Sequence, residues 1–583
     1  MQTNAPTRNI MRDVWQTAKV YWESEEKWSA WGLLVAIVAL NLGNVYISVR
    51  INNWNKDFYD ALQIFNGTEV FRQLGIFCLL AGFAVTISAN ALYLNQMLQI
   101  RWRHWLTHRY VDGWLADGAY YRLRFGHGTD NPDQRIAEDV QQFVTYFMTL
   151  SVGLLTSFVS LVSFLVILWE LSGPMAIPLG RFGILQIPAY LVWVALLTAG
   201  IGTWLAMKIG QPLVPLNYAR QRFEGDFRFS LAHLRENAES VALYGGERAE
   251  FRLFKARFRN IVENFRQIMQ RQRRLNWFTL GYAQLAVIVP LVVVSPRYFA
   301  RQVGLGGLMQ VANAFGYVHN SLAFIINAYS DIANWQAVTQ RLSNFEKRLH
   351  EIQTSARAAQ RITIQRQGAG VAVDNLDLDL PDGTPLLRDV SFAAKSGGSV
   401  LVTGPSGAGK SVLLRAIAGI WPFGRGQIRL GEGRTLFIPQ LPYLPLGTLA
   451  NALLYPLADE SSFSPELLRA ALRDVGLGAL AGELDSVENW SQRLSQAEVQ
   501  QLAFARVLLA KPALIFLDDA TSALDDSSES RLYNLLRAAP WRPTIVTASY
   551  KSALLKFYDE MLDICSFCPS REQMPADQKL ALL

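Results

Sequence analysis

The chain is poor in cysteine and in charged residues. Only 3 of its 583 residues are cysteines, too few for the disulfide framework of a small secreted domain. Two of them, Cys565 and Cys568, form one C-x-x-C pair near the C-terminus, which we interpret as incidental and compatible with a reducing cytosol. Charged residues make up 18% of the chain and hydrophobic residues 51%. This balance argues against a purely soluble protein and favours a chain that lies partly in a membrane.

Long apolar runs recur along the N-terminal half, and each has about the 20 residues that a helix needs to cross a bilayer. They lie at about 29–49, 74–94, 148–169, 187–207 and 276–295. A sixth run, at about 305–329, is interrupted by Asn313, His319, Asn320 and Asn327, so a buried helix of a soluble core is the alternative there. We count it as a span, because an even number of spans keeps both termini on one side. The sequence therefore predicts six transmembrane helices.

These runs hold no acidic residue near a bilayer midplane, since Glu170 lies at the end of the third. Proton-driven carriers usually bury such groups, because a titrating side chain in hydrocarbon is costly and is kept for function. The absence favours a nucleotide as the energy source.

Arginine is concentrated in the two long segments that follow the second and the fourth apolar run. The short segments after the first, third and fifth runs hold few basic residues. Since basic loops stay in the cytosol, the long loops and both termini are predicted to be cytosolic. These flanks explain the net charge of +7 without a nucleic-acid partner. Residues 1–28 interleave charges with tryptophan and predict an amphipathic helix on the membrane surface.

A glycine-rich stretch stands between a β-branched run, which predicts a buried strand, and a run that predicts a helix. It matches the P-loop pattern G-x-x-x-x-G-K-S throughout, with Gly404, Pro405, Ser406, Gly407, Ala408, Gly409, Lys410 and Ser411. Glycines let backbone N–H groups turn onto phosphate oxygens, and the helix N-terminus adds its positive end. Lys410 is predicted to reach the β- and γ-phosphates of ATP, and the Ser411 hydroxyl to ligate Mg²⁺. The alternative is a glycine-rich turn without function, but such a turn would not require the complete P-loop pattern.

Further motifs follow the P-loop in order. The apolar run 514–517 ends in Asp518, a carboxylate placed to hold Mg²⁺ beside the P-loop serine. Gln440 ends a predicted strand, and Asp519 follows Asp518 directly. Residues 494–498 read Leu-Ser-Gln-Ala-Glu and precede a helical run. This ordered set resembles the ATPase domain of ABC transporters, with its Walker A, Q-loop, signature, Walker B and D-loop.

The resemblance extends over essentially the whole chain. Three stretches resemble one branch of the family, and they are 131–136, 237–244 and 439–447. That branch comprises the YddA-like bacterial ABC transporters, kin to the SbmA/BacA peptide importers and to the peroxisomal fatty-acyl-CoA transporters. It implies an ABC exporter-like α-helical membrane domain followed by an α/β P-loop NTPase domain. We place these domains at 1–355 and 356–583, because residues 357–370 form a polar connector. The resemblance also implies a multi-pass protein of the cell inner membrane that works as a dimer, with a second copy of itself or a related half-transporter.

The resemblance assigns further roles by matching position. Ser495 would donate to the γ-phosphate of the ATP held by the partner subunit, since ATP in the family lies between the Walker A of one subunit and the signature of the other. Gln440 would sense and ligate Mg²⁺, and Asp518 would hold the metal. Asp525 would lie at the dimer seam, and residues 236–244 would belong to the coupling region of the second cytosolic loop.

Several positions depart from the family pattern. Asp519 replaces the usual glutamate that orients the attacking water, and Tyr550 stands where the switch histidine is expected. Ala497 replaces a signature glycine, and Leu380 lies near the place of an adenine-stacking aromatic residue. A phenol donates a hydrogen bond but carries no positive charge. These changes predict slow hydrolysis, with tolerated substitutions as one alternative and a helix-capping role for Asp519 as another.

Two functions remain open from the sequence. The first is an ATP-driven transporter that moves peptide-like, cobalamin-like or acyl-CoA-like solutes across the inner membrane. In it, Asp519, Gln440, Tyr550 and Lys410 would act on ATP. The second is an ATP-binding, weakly hydrolysing subunit that is regulatory or belongs to a heterodimer.

Overall fold

The computed structural model describes residues 10–125, 131–173, 175–178, 184–358, 362–457 and 463–569. By its internal contacts the chain divides into two units. The first consists of Met1–Gly113 and Thr129–Lys347, and the second of Trp114–Gly128 and Arg348–Leu583. The first is helical, whereas the second is built around two larger β-sheets.

Long helices form because the apolar runs hold few residues that break helices. In chain order the helices up to residue 358 are α1 (Ile10–Trp22), α2 (Lys27–Gln63), α3 (Gly67–Leu115), α4 (Ala119–Arg122), α5 (Pro132–Gln134), α6 (Val140–Ser172), α7 (Tyr190–Gly210), α8 (Leu213–Glu236), α9 (Ala238–Tyr244), α10 (Glu247–Phe299), α11 (Leu305–Asn327) and α12 (Tyr329–Ala358). Among the described residues, 5 helices are long and apolar enough to cross a membrane. They carry the five unbroken runs predicted from the sequence. The fourth begins at Tyr190, because β1 (Met175–Pro178) and β2 (Ile184–Ile187) form an antiparallel hairpin before it.

The interrupted sixth run also forms a helix, α11, but it is not among the helices apolar enough to span. It packs against α2, α6, α7 and α10, so much of its surface contacts protein. Two of its polar groups find partners on α2, where Gln310 Nε2 donates to Asn53 Oδ1 over 2.8 Å and the Gly306 N–H donates to Asp60 Oδ1 over 2.9 Å. A helix surrounded in this way tolerates asparagine and histidine better than one that faces lipid. The number of six spans remains a prediction.

Helix α1 is amphipathic, and its apolar face is buried against the protein. The Tyr21 ring stacks on Trp102 of α3 with centroids 5.2 Å apart, and Trp22 contacts Trp31 over the same distance. Val14, Ala18 and Tyr21 are all buried. That face is therefore covered by side chains of the same unit, which the predicted membrane-surface position did not anticipate.

A buried carboxylate joins α12 to the start of α6. Asp139 ends a π-helical turn (Arg135–Asp139) that leads into α6, and its side chain is 2% exposed. Arg341 of α12 donates to both Asp139 oxygens, from Nε over 2.9 Å and from Nη2 over 2.7 Å. Arg135 Nη1 adds a third bond of 2.6 Å. We call this group of three residues the Asp139 clasp.

The second unit contains two larger sheets. Its strands are β3 (Ile362–Arg366), β4 (Val371–Asp379), β5 (Pro385–Ala394), β6 (Ser399–Thr403), β7 (Gly424–Leu430), β8 (Thr435–Ile438), β9 (Gly447–Thr448), β10 (Val487–Glu488), β11 (Leu514–Asp518), β12 (Thr544–Ala548) and β13 (Glu560–Asp563). Its helices after residue 400 are α13 (Lys410–Ile417), α14 (Leu449–Leu454), α15 (Pro465–Asp474), α16 (Trp490–Arg493), α17 (Gln496–Ala510) and α18 (Asp526–Arg537). One sheet has the order β13-β6-β12-β11-β8 and is parallel throughout. The other has the order β3-β7-β4-β5. Since all carboxyl ends of a parallel sheet lie at one edge, five loops meet there.

Two local features differ from or extend the sequence analysis. Residues 362–366, predicted as part of a polar connector, form strand β3 beside β7. Ile362 and Ile364 alternate there with polar residues, and Ile362 packs into the core. The segment Trp114–Gly128, which begins with the last two residues of α3 and includes α4, belongs to the second unit. There the Phe125 ring meets Trp421 and Phe423 edge-on, with centroids 5.2 and 5.5 Å apart.

Candidate nucleotide site

The P-loop joins β6 to α13 at the carboxyl edge of the parallel sheet. Gly407 and Gly409 adopt φ angles of +84° and +97°, a region that favours glycine, and Gly409 directly precedes the first residue of α13. The buried Lys410 folds over the loop, and its Nζ donates to the carbonyl oxygens of Gly404 over 2.7 Å and Pro405 over 2.9 Å. The predicted strand, loop and helix are thus confirmed, with the lysine amine placed directly above the loop backbone.

Ser411 and Asp518 meet beside the P-loop as predicted. Ser411 Oγ donates to Asp518 Oδ1 over 2.8 Å, across 107 positions of sequence. Burial raises the pKa of the Asp518 carboxyl, while the hydrogen bond from Ser411 opposes that shift. A hydroxyl and a carboxylate side by side are oxygen ligands of the kind that Mg²⁺ takes next to nucleotide phosphates.

Asp519 has an unusual backbone and an unsatisfied side chain. Its φ is +45°, and its N–H donates to the carbonyl of Ala548 at the end of β12 over 2.9 Å. Its Oδ1 atom is buried and accepts no hydrogen bond from the residues that the structure describes. A buried carboxylate oxygen without a donor is costly unless a ligand or water supplies one. One Asp519 oxygen is therefore available to accept a hydrogen bond from a ligand or from water.

Asp525, and not Asp519, caps the following helix. The Asp525 carboxylate accepts from the N–H groups of Ser527 and Ser528 over 3.2 and 3.3 Å, and α18 begins one residue after it. Hydrogen bonds from Ser527, followed by those from Ser528, lower the pKa of Asp525 to about 2. The helix-capping alternative for Asp519 is therefore wrong, since that function belongs to Asp525, which is exposed.

Gln500 is a residue that the sequence analysis missed. It is fully buried on α17, and its Nε2 donates to the Gln440 carbonyl over 3.0 Å and to Ser522 Oγ over 3.1 Å. Its Oε1 accepts from the Ala523 N–H over 3.0 Å. The Gln500 amide thus connects α17, the helix that follows Ser495, to the segment after β8 and to the segment after β11. Its signal in the sequence was a polar residue among the apolar positions of that helix.

The other predicted residues lie around this edge. Gln440 follows β8 and is exposed, and Tyr550 follows β12 with 60% of its surface exposed. Ser495 caps α17, and its Oγ donates to Glu498 Oε2 over 2.8 Å. Ala497 packs partly against the core, and Leu380 lies in the turn after β4, where its N–H bonds to the carbonyl of Thr384 over 2.8 Å. The edge therefore carries Lys410, Ser411, Asp518, Asp519, Gln440 and Tyr550, whereas Ser495 stands at the head of a separate helix.

Comparison with known proteins identifies both parts of the chain. Residues 18–299 match the family described as ABC transporter transmembrane region 2, and residues 387–522 match the family described as ABC transporter. An ABC transporter ATP-binding protein of Haemophilus influenzae is 35% identical over 90% of this chain and 87% of its own length. The Escherichia coli inner membrane ABC transporter ATP-binding protein YddA is 33% identical, over 94% of this chain and 96% of its own.

Two more distant matches extend the comparison. The human lysosomal cobalamin transporter ABCD4 is 25% identical over 92% of each chain. The solved structure of a bacterial Atm1-family ABC exporter with ATP bound covers 91% of this chain at a TM-score of 0.71 and 18% identity, and it shows the fold. The expected family, the exporter-type fold and the ATP-binding domain are thereby confirmed. The chain belongs to the ABC transporters, as a YddA-like half-transporter, kin to subfamily D, whose membrane region and ATPase form one polypeptide.

Proposed function

We propose that this half-transporter pairs with a second copy of itself, or with a related half-transporter, and uses ATP to move an amphipathic solute across the inner membrane. The observation that carries the proposal is the pairing of Ser411 with Asp518 over 2.8 Å, directly beside Lys410 at the carboxyl edge of the sheet. In the proposed dimer, Ser495 of one copy donates to the γ-phosphate held by the P-loop of the other.

The residues at the edge fit ATP with a magnesium ion. Ser411, Asp518 and Gln440 would hold Mg²⁺, which when bound neutralises phosphate charge and helps to align the terminal phosphate. Lys410 transfers its hydrogen bonds from the loop carbonyls to the β- and γ-phosphates. Asp519, whose buried Oδ1 accepts no hydrogen bond from the described residues, accepts one from the attacking water and orients it in line with the phosphorus.

We further propose that hydrolysis is slow. The Asp519 side chain is shorter than glutamate by one C–C bond, roughly 1.5 Å, so its carboxylate stands back from the water it must orient. Tyr550 is largely exposed, and a phenol carries no positive charge to a developing phosphate charge. The Ala497 methyl group stands where the family has a glycine next to phosphate.

The membrane unit suggests what kind of solute is moved. An open surface depression of about 800 Å³ lies along one face of α10, and its lining, which comes from this helix alone, is Met269, Gln272, Arg273, Asn276, Trp277, Leu280, Gly281 and Gln284. These positions recur at helical spacing and combine apolar side chains with amides and one arginine. Such a surface suits a solute with an apolar body and an anionic or polar group, as in peptide-like, cobalamin-like or acyl-CoA-like compounds. The human relative ABCD4 is named a cobalamin transporter.

The arrangement in the membrane completes the proposal. Both termini, the two long arginine-rich loops and the ATPase lie in the cytosol, where ATP is available. The membrane domain extends to residue 355 and the ATPase domain begins at 356, with residues 236–244 coupling the two in the second cytosolic loop. Asp525, exposed at the head of α18, lies at the seam between the two copies.

ATP hydrolysis by the purified protein in lipid vesicles tests the proposal. We expect measurable ATPase activity and ATP-dependent solute uptake. Lys410→Ala should abolish both, because alanine lacks the amine that would reach the phosphates. The matched control is Lys395→Ala, since Lys395 is an exposed lysine on the turn before β6. If the Lys410→Ala variant bound ATP and transported solute as well as the unmodified protein, the assignment of ATP binding to the P-loop would be contradicted. ATP binding without hydrolysis or transport by the unmodified chain would favour the regulatory subunit instead.

A further inference from the structure

The last strand of the parallel sheet brings the C-x-x-C pair to the P-loop. Strand β13 lies next to β6 and runs parallel to it, with Asp563 opposite Thr403. Because the two strands end at the same level, the 3₁₀ turn Ile564–Phe567 that follows β13 stands beside Gly404, the first P-loop residue. In sequence these two places are far apart, so nothing local suggested the contact.

The contact between this turn and Gly404 is close. A methyl group placed on Gly404 would lie 2.5 Å from Ile564 Cγ2 and 3.8 Å from Cys565 Sγ. Ile564 is fully buried, and Gly404 has a φ of +146°. The turn therefore forms a wall against the start of the P-loop, and Cys565 lies at the exposed end of that wall.

The two thiols are placed so that they can join. Cys568 and Cys565 are linked by the hydrogen bond from the Cys568 N–H to the Cys565 carbonyl, over 3.2 Å. In a 3₁₀ turn, residues three apart are eclipsed and separated by about 6 Å along the axis, which lies within the usual Cα separation of a disulfide. Asp563 accepts from the Cys565 N–H over 3.0 Å and from Ser566 Oγ over 2.6 Å, which holds the turn in place.

We propose that Cys565 and Cys568 form a redox-active dithiol whose oxidation to a disulfide weakens ATP binding at the adjacent P-loop. This inference rests on the proposed binding of ATP through that loop. The oxidant is a small-molecule disulfide such as oxidised glutathione. The Cys565 thiolate attacks one of its sulfurs and releases one reduced glutathione. The Cys568 thiolate then attacks the Cys565 sulfur of the mixed disulfide and releases the second. The two protein thiols lose two electrons and two protons, and the oxidant becomes two thiols.

The effect on ATP follows from the contacts of Gly404. Closing a bond of about 2.05 Å between the sulfurs takes Cys568 Sγ away from the Ile564 carbonyl, to which it donates over 3.7 Å, and so changes the turn that packs on Gly404. The carbonyl oxygen of Gly404 accepts from Lys410 Nζ, the amine that must reach the phosphates. Because Gly404 has no space on that side, a shift of the turn displaces the loop backbone and with it the position of Lys410.

Burial raises the pKa of the Cys568 thiol, and the neighbouring Cys565 and Asp563 add to the effect. Disulfide exchange proceeds through the thiolate, so the closing step becomes faster as the pH rises toward that pKa. The rate of disulfide closure should therefore increase on going from neutral to alkaline pH.

The test uses the full chain with Cys78→Ser, which removes the third cysteine and leaves only the pair. The protein is treated with oxidised glutathione, its free thiols are counted, and its affinity for a fluorescent ATP analogue is measured. We expect the loss of both thiols and a rise in Kd of at least fivefold, both reversed by dithiothreitol. The variant with Cys565→Ser and Cys568→Ser should show no change. Cys568→Ser alone should retain one glutathione on Cys565, detected by intact mass.

Two results would overturn the dithiol proposal: free thiols that persist under oxidant, or a disulfide that forms while the Kd for the ATP analogue stays the same. If the reduced protein also fails to bind the analogue, the proposed function falls together with the effect on affinity. A failure confined to the oxidised protein refutes the dithiol proposal alone.

Discussion

Replacing Asp519 by Glu and Tyr550 by His should raise the rate of ATP hydrolysis. The glutamate extends the carboxylate toward the attacking water, and the histidine supplies a group that can carry positive charge. Asp519 is already anchored through its N–H to Ala548, over 2.9 Å, so the added reach is directed from a fixed backbone position. Residues that act as a unit are not additive, and we expect each single change to yield less than the pair.

The structure also limits the gain from Asp519→Glu. A misplacement of about 1 Å can cost about 10²-fold in rate, or about 2.7 kcal/mol. The backbone of Asp519 opposes part of this gain, because its φ of +45° lies in the left-handed region. Aspartate tolerates that region better than glutamate, and the difference is about 1 kcal/mol. Because that strain is present before and during the reaction alike, it reduces the gain only where the backbone shifts to relieve it, so we expect turnover to rise by about 20-fold to about 10²-fold.

Phosphate release by the purified protein in lipid vesicles, at saturating ATP, measures this effect. Asp526→Glu is the matched control, because it lengthens an exposed aspartate at the start of α18 by the same methylene. It should leave turnover unchanged. A parent protein as fast as transporters with an intact glutamate and histidine, with no gain in the double variant, would refute the reasoning. The departures from the family pattern at Asp519 and Tyr550 would then be compensated by neighbouring residues.

Three further predictions address topology, packing and pH. In a chain without native cysteines, Gly67→Cys should react with an impermeant thiol reagent outside the cell, and Tyr244→Cys only after permeabilisation; the opposite labelling would reverse the orientation. Asp139→Asn should lower the free energy of unfolding by about 3 kcal/mol, because breaking a buried ion pair strands its partners. Glu346→Gln, at a half-exposed pair, should cost under about 1 kcal/mol in the same denaturation experiment, and equal losses would contradict the burial argument. Because burial raises the pKa of Asp518, Mg²⁺-dependent ATP affinity should decline on acidification at a higher pH than an ordinary aspartate would cause. Asp518→Asn should remove that decline, and a pH profile unchanged by the substitution would exclude Asp518 as its source.

Local patterns were sufficient for the elements and for the P-loop, because hydrophobic periodicity and glycine spacing act over a few residues. The strand–loop–helix around Lys410 and the carboxylate of Asp518 could be predicted in this way. Strand β3 was missed because its two isoleucines alternate with polar residues over a stretch as short as 362–366. The buried face of α1 was missed because an amphipathic pattern does not say whether lipid or protein covers it.

Apart from the pairing of Ser411 with Asp518, which the ordered motifs predicted, contacts between distant segments could not be predicted. Asp139 and Arg341 are 202 positions apart, and each alone resembles an ordinary charged residue on a helix. Gln500 gains its meaning only when the segments after β8 and β11 are seen to converge on it. The Cys565 pair became informative only with the strand order, since β13 is placed beside β6 by the fold and not by adjacency in the chain.

The position of β6 between β12 and β13 has a consequence for how the protein is made. Both neighbours of β6 are synthesised long after it, as the 159 positions between Thr403 and Leu562 illustrate. While the ribosome is still adding those residues, the strand that carries the P-loop has no partner on either side, although the helices of the first unit are already complete. Pairings between distant segments form late, because the chain must close a long loop before any contact compensates for the lost entropy. The nucleotide site is therefore among the last parts of the described structure to become ordered, and we expect a newly inserted chain to bind ATP only once β13 has docked beside β6.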